Sequence, residues 1–397
     1  MRPAREQPES STKLASPEEI NLKAQTKITA LALAIGAAFA GHANAQSNVT
    51  LYGLIDTTIS TISNADAKGD RLTGYHQPAW FSGNRWGLTG AEDIGFGTKV
   101  IFKLESEFQS YNGAMDTPGV LFNRDAWVGI NSDVFGKLTF GRQNALGRDP
   151  MASGLYGDPY GPAAITTEEG GYTNNNNFKQ LVFYAGSATG TRMDNGVVWK
   201  KLFDNGLTAG AGYQFGEVPG APSRNTTETV TLGYNGGNFH VSSFFTQANV
   251  NGQRNRTYSA GGNYVWGIVR ASAGYFHYTA EQGALGQRKD DAYTVSLKID
   301  PAGAFDYEIG YQMMKAGHAA LNADGFTINA YGNTANSTAT DSGRKNTVYG
   351  SVFYHFSKRT EVYLAADYMF LQHGYHAAQS NGFAHQSEFA VGMRTRF

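Results

Sequence analysis

The last residues of the chain alternate between apolar and polar side chains, the pattern of a β-strand with one dry face and one wet face. In the final segment SEFAVGMRTRF, four large apolar residues share one face: Phe389, Val391, Met393 and Phe397. Glu388, Arg394 and Arg396 fall on the opposite face. Chain ends in soluble proteins usually fray in water. A strand that ends on a large aromatic therefore predicts an apolar environment for Phe397.

Similar segments of about ten residues recur along most of the chain, either alternating or rich in β-branched and aromatic residues. Examples are TKVIFKLESEFQS, NFHVSSFFTQANV, DDAYTVSLKI and TEVYLAADYMFLQ. Their length suits a tilted strand that crosses a lipid bilayer.

The connections between these segments fall into two classes. Short connections are predicted at 92–97, 132–136, 202–206, 236–238, 266–267, 301–303 and 357–359. Longer polar connections lie between them, as at 144–178 and 316–344. Seven short turns that alternate with eight longer loops require 16 strands. We predict an all-β protein, a 16-stranded antiparallel transmembrane β-barrel. A soluble β-sandwich or propeller does not sort its loops by length so regularly.

The alternation in segment 97–110 predicts which face of the barrel wall points to lipid and which to the interior. Val100, Phe102, Leu104 and Phe108 share one face, and Lys99, Lys103, Glu105 and Glu107 share the other. A lysine turned to lipid near the bilayer midplane costs about 2–4 kcal/mol, so we expect the charged face to line the interior. A barrel of this width cannot be filled by its own side chains, and its polar interior predicts a water-filled channel.

Composition supports a strand-rich chain and excludes several functions. The 397 residues include 49 glycines, 22 tyrosines and 24 phenylalanines, and hydrophobic residues make up only 41%. This mix suits aromatic strands joined by tight turns. The sequence has no cysteine, which excludes disulfides, zinc-thiolate sites and thiol nucleophiles. The formal net charge of −1 excludes a strongly basic nucleic-acid binder.

The N-terminal region has the features of an export signal. KAQTK (23–27) precedes the apolar run ITALALAIGAAFAG, and Ala43 and Ala45 form an A-x-A cleavage site. This run of about 14 residues is shorter than the roughly 20 that a membrane-spanning helix needs, so a membrane anchor is the less favoured interpretation. We predict that residues 1–45 are a cleaved extension and signal peptide, and that 46–397 form a single barrel domain.

Five segments resemble the general porins of Gram-negative bacteria, most closely the trimeric porins of β-proteobacteria, including those of neisserial type. They are QSNVTLYGLID, NRWGLTGAEDIGFGTKVIFKLESEF, NRDAWVGINSDVFGKLTFGRQ, RMDNGVVW and the terminal Phe397. The resemblance covers the whole predicted mature chain. It implies a homotrimer in the outer-membrane lipid, whose third outer loop folds into the lumen. It also implies that the outer-membrane assembly machinery recognises Phe397, which afterwards lies in the aromatic girdle.

In such a channel the functional site is the constriction, where charged side chains act on a passing solute. The resemblance implies that three arginines form a basic wall: Arg85, Arg124 and Arg192. Strand alternation (parity) places Arg85 on the lumen side, because the apolar side chains of Trp86 and Leu88 lie on the opposite, lipid-facing side of the strand. Parity does not decide the side of Arg124, and Arg192 lies at a border between loop and strand.

The third outer loop is predicted at 144–178, directly after GRQ. Four acidic residues in it are predicted to form an acidic lip opposite the basic wall: Asp149, Asp158, Glu168 and Glu169. An ordinary solvated loop is the alternative. Arg142 is a further candidate, but the sequence does not fix its register.

The favoured function is passive diffusion of small hydrophilic solutes and ions, with a mild preference for anions. Two alternatives stay open. An uptake channel dedicated to one substrate would favour a ladder of arginines or aromatics along a longer path, which cannot be traced. A barrel hydrolase would need a paired serine and histidine, and the strand histidines His240, His277 and His355 have no recognisable companion motif. No metal or cofactor is predicted.

Overall fold

The computed structural model describes residues 48–75, 79–151, 177–323, 325, 327–328, 337–377 and 382–397. The strands are β1 (Asn48–Ile62), β2 (Leu72–Tyr75), β3 (Asn84–Gly95), β4 (Thr98–Phe108), β5 (Asp125–Ser132), β6 (Gly136–Asn144), β7 (Arg192–Leu202), β8 (Leu207–Gln214), β9 (Thr227–Asn235), β10 (Phe239–Val250), β11 (Gln253–Trp266), β12 (Val269–Glu281), β13 (Gln287–Ile299), β14 (Phe305–Ala320), β15 (Thr340–His355), β16 (Thr360–His373) and β17 (His385–Arg396). A helix, α1 (Asn177–Tyr184), precedes β7, and a 3-10 turn (Gly283–Leu285) precedes β13. Among the described helices, none is long and apolar enough to cross a membrane.

The sheet closes on itself because the first strand pairs with the last. β1 and β17 run antiparallel from Leu54↔Arg396 to Ile62↔Glu388. On its other edge, β1 pairs with β3 at its start and with β2 further along. β2 and β3 therefore form one interrupted strand of the wall. Counted so, the closed barrel has 16 antiparallel strands, as predicted.

The seven short turns lie where the sequence predicts them, but two of the eight connections at the other end are not long. Only Asn251 and Gly252 join β10 to β11. Their φ values of 54° and 90° are those of the two-residue type I′ hairpin that an Asn-Gly pair favours. The connection between β12 and β13 is also short, at 282–286. The third connection is longer than predicted, since β6 ends at Asn144 and β7 begins at Arg192.

Burial alternates along the strands and separates an outer apolar face from an inner polar one. In β17, Phe389, Val391 and Met393 are exposed on the outside, whereas Glu388 and Arg394 are buried on the inside. The parity predicted for the last strand is therefore confirmed. Exposed Val, Leu, Ile, Tyr and Phe side chains continue around the outer face of the barrel, as lipid contact requires.

The connection between β6 and β7 places α1 against the inner wall. Leu181 and Tyr184 belong to a buried apolar cluster with inward-facing residues of β10, β12, β13 and β14, among them Phe244, Phe276 and Met314. The centre of this connection, 152–176, lies outside the described residues. The course of the whole third loop across the lumen therefore stays a prediction.

A second segment enters the interior where the strand formed by β2 and β3 is interrupted. Trp80 and Phe81 pack against Phe353 and Tyr363 on the inner faces of β15 and β16. The rings of Phe81 and Tyr363 meet edge to face, with centroids 4.8 Å apart. Tyr363 Oη also donates a hydrogen bond of 2.6 Å to the buried carboxylate of Asp56. The interruption thus supplies an apolar lining on this side of the interior.

The seam between the chain ends depends on a glycine. The amide of Gly53 donates to the carbonyl of Phe397, and the amide of Phe397 donates to the carbonyl of Gly53, both at 3.0 Å. The Phe397 ring lies over Gly53, where an added Cβ would come within 2.1 Å of Cζ. Gly53 therefore leaves the space that the terminal ring occupies on the outer face.

We expect Gly53→Ala to destabilise the barrel by about 1–3 kcal/mol, because the new methyl group displaces the Phe397 ring from the seam. Urea unfolding in lipid vesicles, followed by circular dichroism, measures the change. Gly303→Ala is the matched control, since no atom lies within 4 Å of its added Cβ. Equal midpoints for the two variants would contradict this account of the seam.

Candidate functional site

Two carboxylates on the inner face of β4 organise a cluster of charges. The Arg124 guanidinium pairs with Glu105 through Nε and with Glu107 through Nη1. Lys103 Nζ lies 3.2 Å from Glu105 and 2.9 Å from Asp125. Arg124 precedes β5 by one residue, so strand alternation does not constrain it, and its side chain joins the inward-facing carboxylates of β4.

Arg85 lies on the neighbouring strand, directly opposite Glu107 in the register of β3 and β4. Its Nε donates to the carbonyl of Gly83 at 2.9 Å. The guanidinium also interacts electrostatically with Glu105 and Glu107. This placement agrees with the inward orientation that parity predicts for Arg85.

Arg192 is the first residue of β7, and its side chain is buried. It lies within electrostatic range of Arg124, Arg148 and Glu107. Within the described residues, its Nε and Nη1 make no hydrogen bond. The structure thus brings the three arginines implied by the resemblance within electrostatic range of Glu107.

Cations outnumber carboxylates in the described part of this cluster. The cations are Arg85, Lys103, Arg124, Arg148 and Arg192, and the wall carboxylates are Glu105, Glu107 and Asp125. Asp116, in the connection between β4 and β5, is an exposed acid near Glu107. Partial desolvation and the negative charge of Glu107 raise the pKa of Asp116. With Asp116 counted, five cations face four carboxylates in the described part of the cluster, so the inner wall carries net positive charge here.

The other predicted site residues have different partners or lie outside the described residues. Arg142 donates from Nε to the carbonyl of Asn123 at 2.8 Å, and its Nη1 pairs with Asp194. Asp149 is buried and pairs with Lys200 of β7. Three of the predicted lip acids fall outside the described residues: Asp158, Glu168 and Glu169.

A second polar group fastens α1 to the opposite wall. Tyr184 Oη donates to Asp290, and the ring of Tyr184 stacks on Tyr278 with centroids 4.1 Å apart. Arg288 Nη2 lies 2.7 Å from Asp290 Oδ2, and both of these side chains are completely buried. Burial and the charge of Asp290 raise the pKa of Tyr184 far above its ordinary value, so its hydroxyl remains a donor.

The Gram-negative porin model matches residues 30–373 of this chain. An outer membrane porin protein of Bordetella pertussis is 30% identical over 432 residues, which cover 94% of this chain and 100% of that protein. The chain belongs to the Gram-negative porin family. The porin is accordingly an outer-membrane β-barrel channel rather than an enzyme.

Further relatives share part of the porin sequence or its fold. Outer membrane porin protein 32 of Delftia acidovorans is 40% identical over 116 residues, 29% of this chain and 31% of that protein. The solved anion-selective porin from Comamonas acidovorans has 21% identity and a TM-score of 0.66, over 89% of this chain and 100% of that one. A loop-deletion mutant of an outer membrane protein of Vibrio cholerae has 17% identity and a TM-score of 0.60, over 88% of this chain and 99% of that one. At these identities the two structures establish the fold alone.

The sequence did not reveal the partners of the arginines in this porin. It placed Glu105 and Glu107 on the lumen side by parity, but gave no sign that both bind Arg124. It also gave no sign of the contact between Tyr184 and Asp290, which are 106 positions apart in the chain. The alternation of β13 could have placed Arg288 and Asp290 on the inner face, since both share the parity of the small residues Ala292 and Thr294.

We expect Arg124→Gln to destabilise the porin by about 2–3 kcal/mol, because it leaves Glu105 and Glu107 close together with less compensating charge. Arg142→Gln is the control, since the Arg142 and Asp194 side chains are 25% and 37% exposed and such a pair contributes less than about 1 kcal/mol. Urea unfolding in vesicles compares the two. Similar losses of stability for both variants would show that Arg124 is not needed to compensate the charges of Glu105 and Glu107.

Proposed function

We propose that this porin forms a water-filled passage for passive diffusion of small hydrophilic solutes and ions, with a mild preference for anions. One observation supports the preference: in the described cluster, Arg85, Arg124, Arg192, Lys103 and Arg148 outnumber the carboxylates Glu105, Glu107, Asp116 and Asp125 by one. Rings of charged side chains set selectivity in channels. Two unit charges about 8 Å apart interact by roughly 1 kcal/mol at an effective dielectric of about 40, so a small excess of cations favours anions several-fold. The relative named as an anion-selective porin is consistent with this sign.

The third outer loop is proposed to form the other side of the constriction. The contacts of α1 with the inner wall support this, because they hold the returning arm of the loop inside the barrel. Asp149 is already paired with Lys200 and would contribute little free negative charge. An acidic lip would therefore depend on Asp158, Glu168 and Glu169.

Assembly and export follow the same family pattern in this proposal. The chain would be exported by the signal peptide within residues 1–45 and mature as residues 46–397. It would then assemble as a homotrimer. The half-exposed Phe397 ring at the end of β17 is available to the outer-membrane assembly machinery as a terminal recognition signal.

We expect Arg85→Gln to lower the ratio of anion to cation permeability about twofold, because it removes one positive charge from the inner wall. Reversal potentials across a tenfold salt gradient near about 0.1 M measure the ratio. At about 1 M the Debye length is about 3 Å, and the difference should fade. Arg359→Gln, in the exposed turn between β15 and β16, is the control. An unchanged reversal potential for Arg85→Gln at low salt would show that Arg85 does not line the constriction.

We expect Tyr184→Phe to increase open-channel current noise and conductance. The variant removes the hydrogen bond to Asp290, worth about 1–2 kcal/mol, and so loosens α1. Tyr275→Phe is a matched control, because Tyr275 donates at 2.6 Å to Asp291 on the outer surface. Single-channel recordings in planar bilayers compare them. Identical recordings for the two variants would show that the Tyr184 contact does not hold the constriction.

A further inference from the structure

The two-residue connection between β10 and β11 leaves a reactive dipeptide open to water. Asn251 and Gly252 are both exposed, and an added Cβ on Gly252 would meet no atom within 4 Å. Short turns face the periplasm in barrels of this class. The hairpin lies at the opposite end of the strands and therefore faces the cell exterior.

An asparagine that precedes a glycine is open to attack by its own backbone. The glycine amide nitrogen bonds to the asparagine Cγ and closes a five-membered ring. Glycine favours this closure because, without a Cβ, its backbone adopts conformations that other residues avoid. In a folded protein, the reaction is slowed where the glycine N–H or the asparagine side chain is held by a hydrogen bond, since that bond must first be lost.

Six Asn-Gly pairs occur in the sequence, and four of the five within the described residues are held. At 112–113 and 205–206, the asparagine Oδ1 accepts a backbone N–H at 2.9 and 3.1 Å. The glycine N–H of these two pairs donates to a carbonyl at 2.8 and 2.9 Å. At 235–236, the glycine N–H donates to a carbonyl at 2.8 Å. At 195–196, the asparagine Nδ2 donates to a carboxylate at 2.7 Å, and the glycine is a paired residue of β7.

The pair at 251–252 is the exception among these five. The backbone amide of Asn251 donates to Oδ1 of Asn225 at 3.0 Å. Among the described residues, no hydrogen bond engages the Asn251 side chain or the Gly252 N–H. Both reacting groups are therefore available at once, on a turn that projects into water.

We propose that Asn251 is a site of spontaneous deamidation, which adds a negative charge to the outer surface of the porin as the molecule ages. The Gly252 nitrogen gives its proton to water and bonds to Cγ of Asn251. The side-chain nitrogen takes a proton from water and leaves as ammonia. Water then opens the resulting succinimide at either of its carbonyls and leaves aspartate or isoaspartate. Water is the only reactant consumed and ammonia the only molecule released.

The two products affect the hairpin differently. Aspartate keeps the backbone unchanged and tolerates the φ of 54° at this position. Isoaspartate routes the backbone through the former side chain and adds one carbon to it, so the loop no longer matches a type I′ turn. Val250 and Gln253 are the pair of the β10–β11 ladder next to the turn, and we expect them to separate first.

The test is peptide mapping by mass spectrometry after the purified porin is incubated in heavy-oxygen water, which labels only carboxylates formed during the experiment. The Asn251 peptide should convert about tenfold faster than peptides with the four held pairs, because each of those must first lose a hydrogen bond. In denaturant, all five pairs should convert at similar rates, since they share the dipeptide. Conversion of Asn251 in the folded porin as slow as that of the held pairs would overturn the proposal.

Asn251→Gly removes the reactive amide and keeps a dipeptide, Gly-Gly, that favours the same turn. On isoelectric focusing, this variant should accumulate less acidic species with time than the unmodified porin. Asn205→Gly is the matched control, because the pair at 205–206 is held, and it should accumulate as much as the unmodified porin. Heat-dependent gel migration establishes that both variants fold. Equal accumulation in the Asn251→Gly variant and the unmodified porin would place the reaction elsewhere and overturn the assignment.

Discussion

Every backbone amide and carbonyl that faces lipid must find its partner inside the protein, because hydrocarbon offers none. In this chain the pairing of β1 with β17 meets that requirement by removing both edges of the sheet. The closing hydrogen bonds between Gly53 and Phe397 place the last residue of the chain in the wall itself. Once the sheet is closed, strand alternation directs each side chain of a barrel strand to lipid or to the lumen, and it places the charged residues of β4 and β17 on the inner face.

The inner face that results carries charge on both sides of the barrel. The wall from β3 to β7 holds the ion pairs of Lys103, Arg124 and Lys200. The wall from β10 to β17 holds buried pairs such as Arg288 with Asp290, and three apolar clusters pack against it within the described residues, one of them beneath α1. Apolar surfaces that pack together exclude water, so the passage in our proposal runs beside the wall from β3 to β7.

Local sequence predicted the periodic parts of this structure and missed the parts that depend on distant contacts. The short turns, the strand parity and the inward charges of β4 follow from patterns within about ten residues. The pairing of Arg124 with Glu107 joins positions 17 apart, and Tyr363 meets Asp56 across 307 positions. No local pattern encodes such pairs. The Asn251-Gly252 hairpin is different, because its signal was in the sequence and the expectation of a long outer loop overrode it.

The same alternation explains why adjacent cations in one strand have different roles. Arg288 and Lys289 are neighbours in β13, yet Arg288 is completely buried against Asp290 while Lys289 is exposed on the outer face. A buried guanidinium requires a carboxylate within hydrogen-bonding distance, since an unpaired charge there would be costly. An exposed ammonium needs no protein partner, because water solvates it. β13 thereby provides the inner anchor of α1 through Asp290. A shift of its register by one residue would move Arg288 and Asp290 to the outer face and lose that anchor.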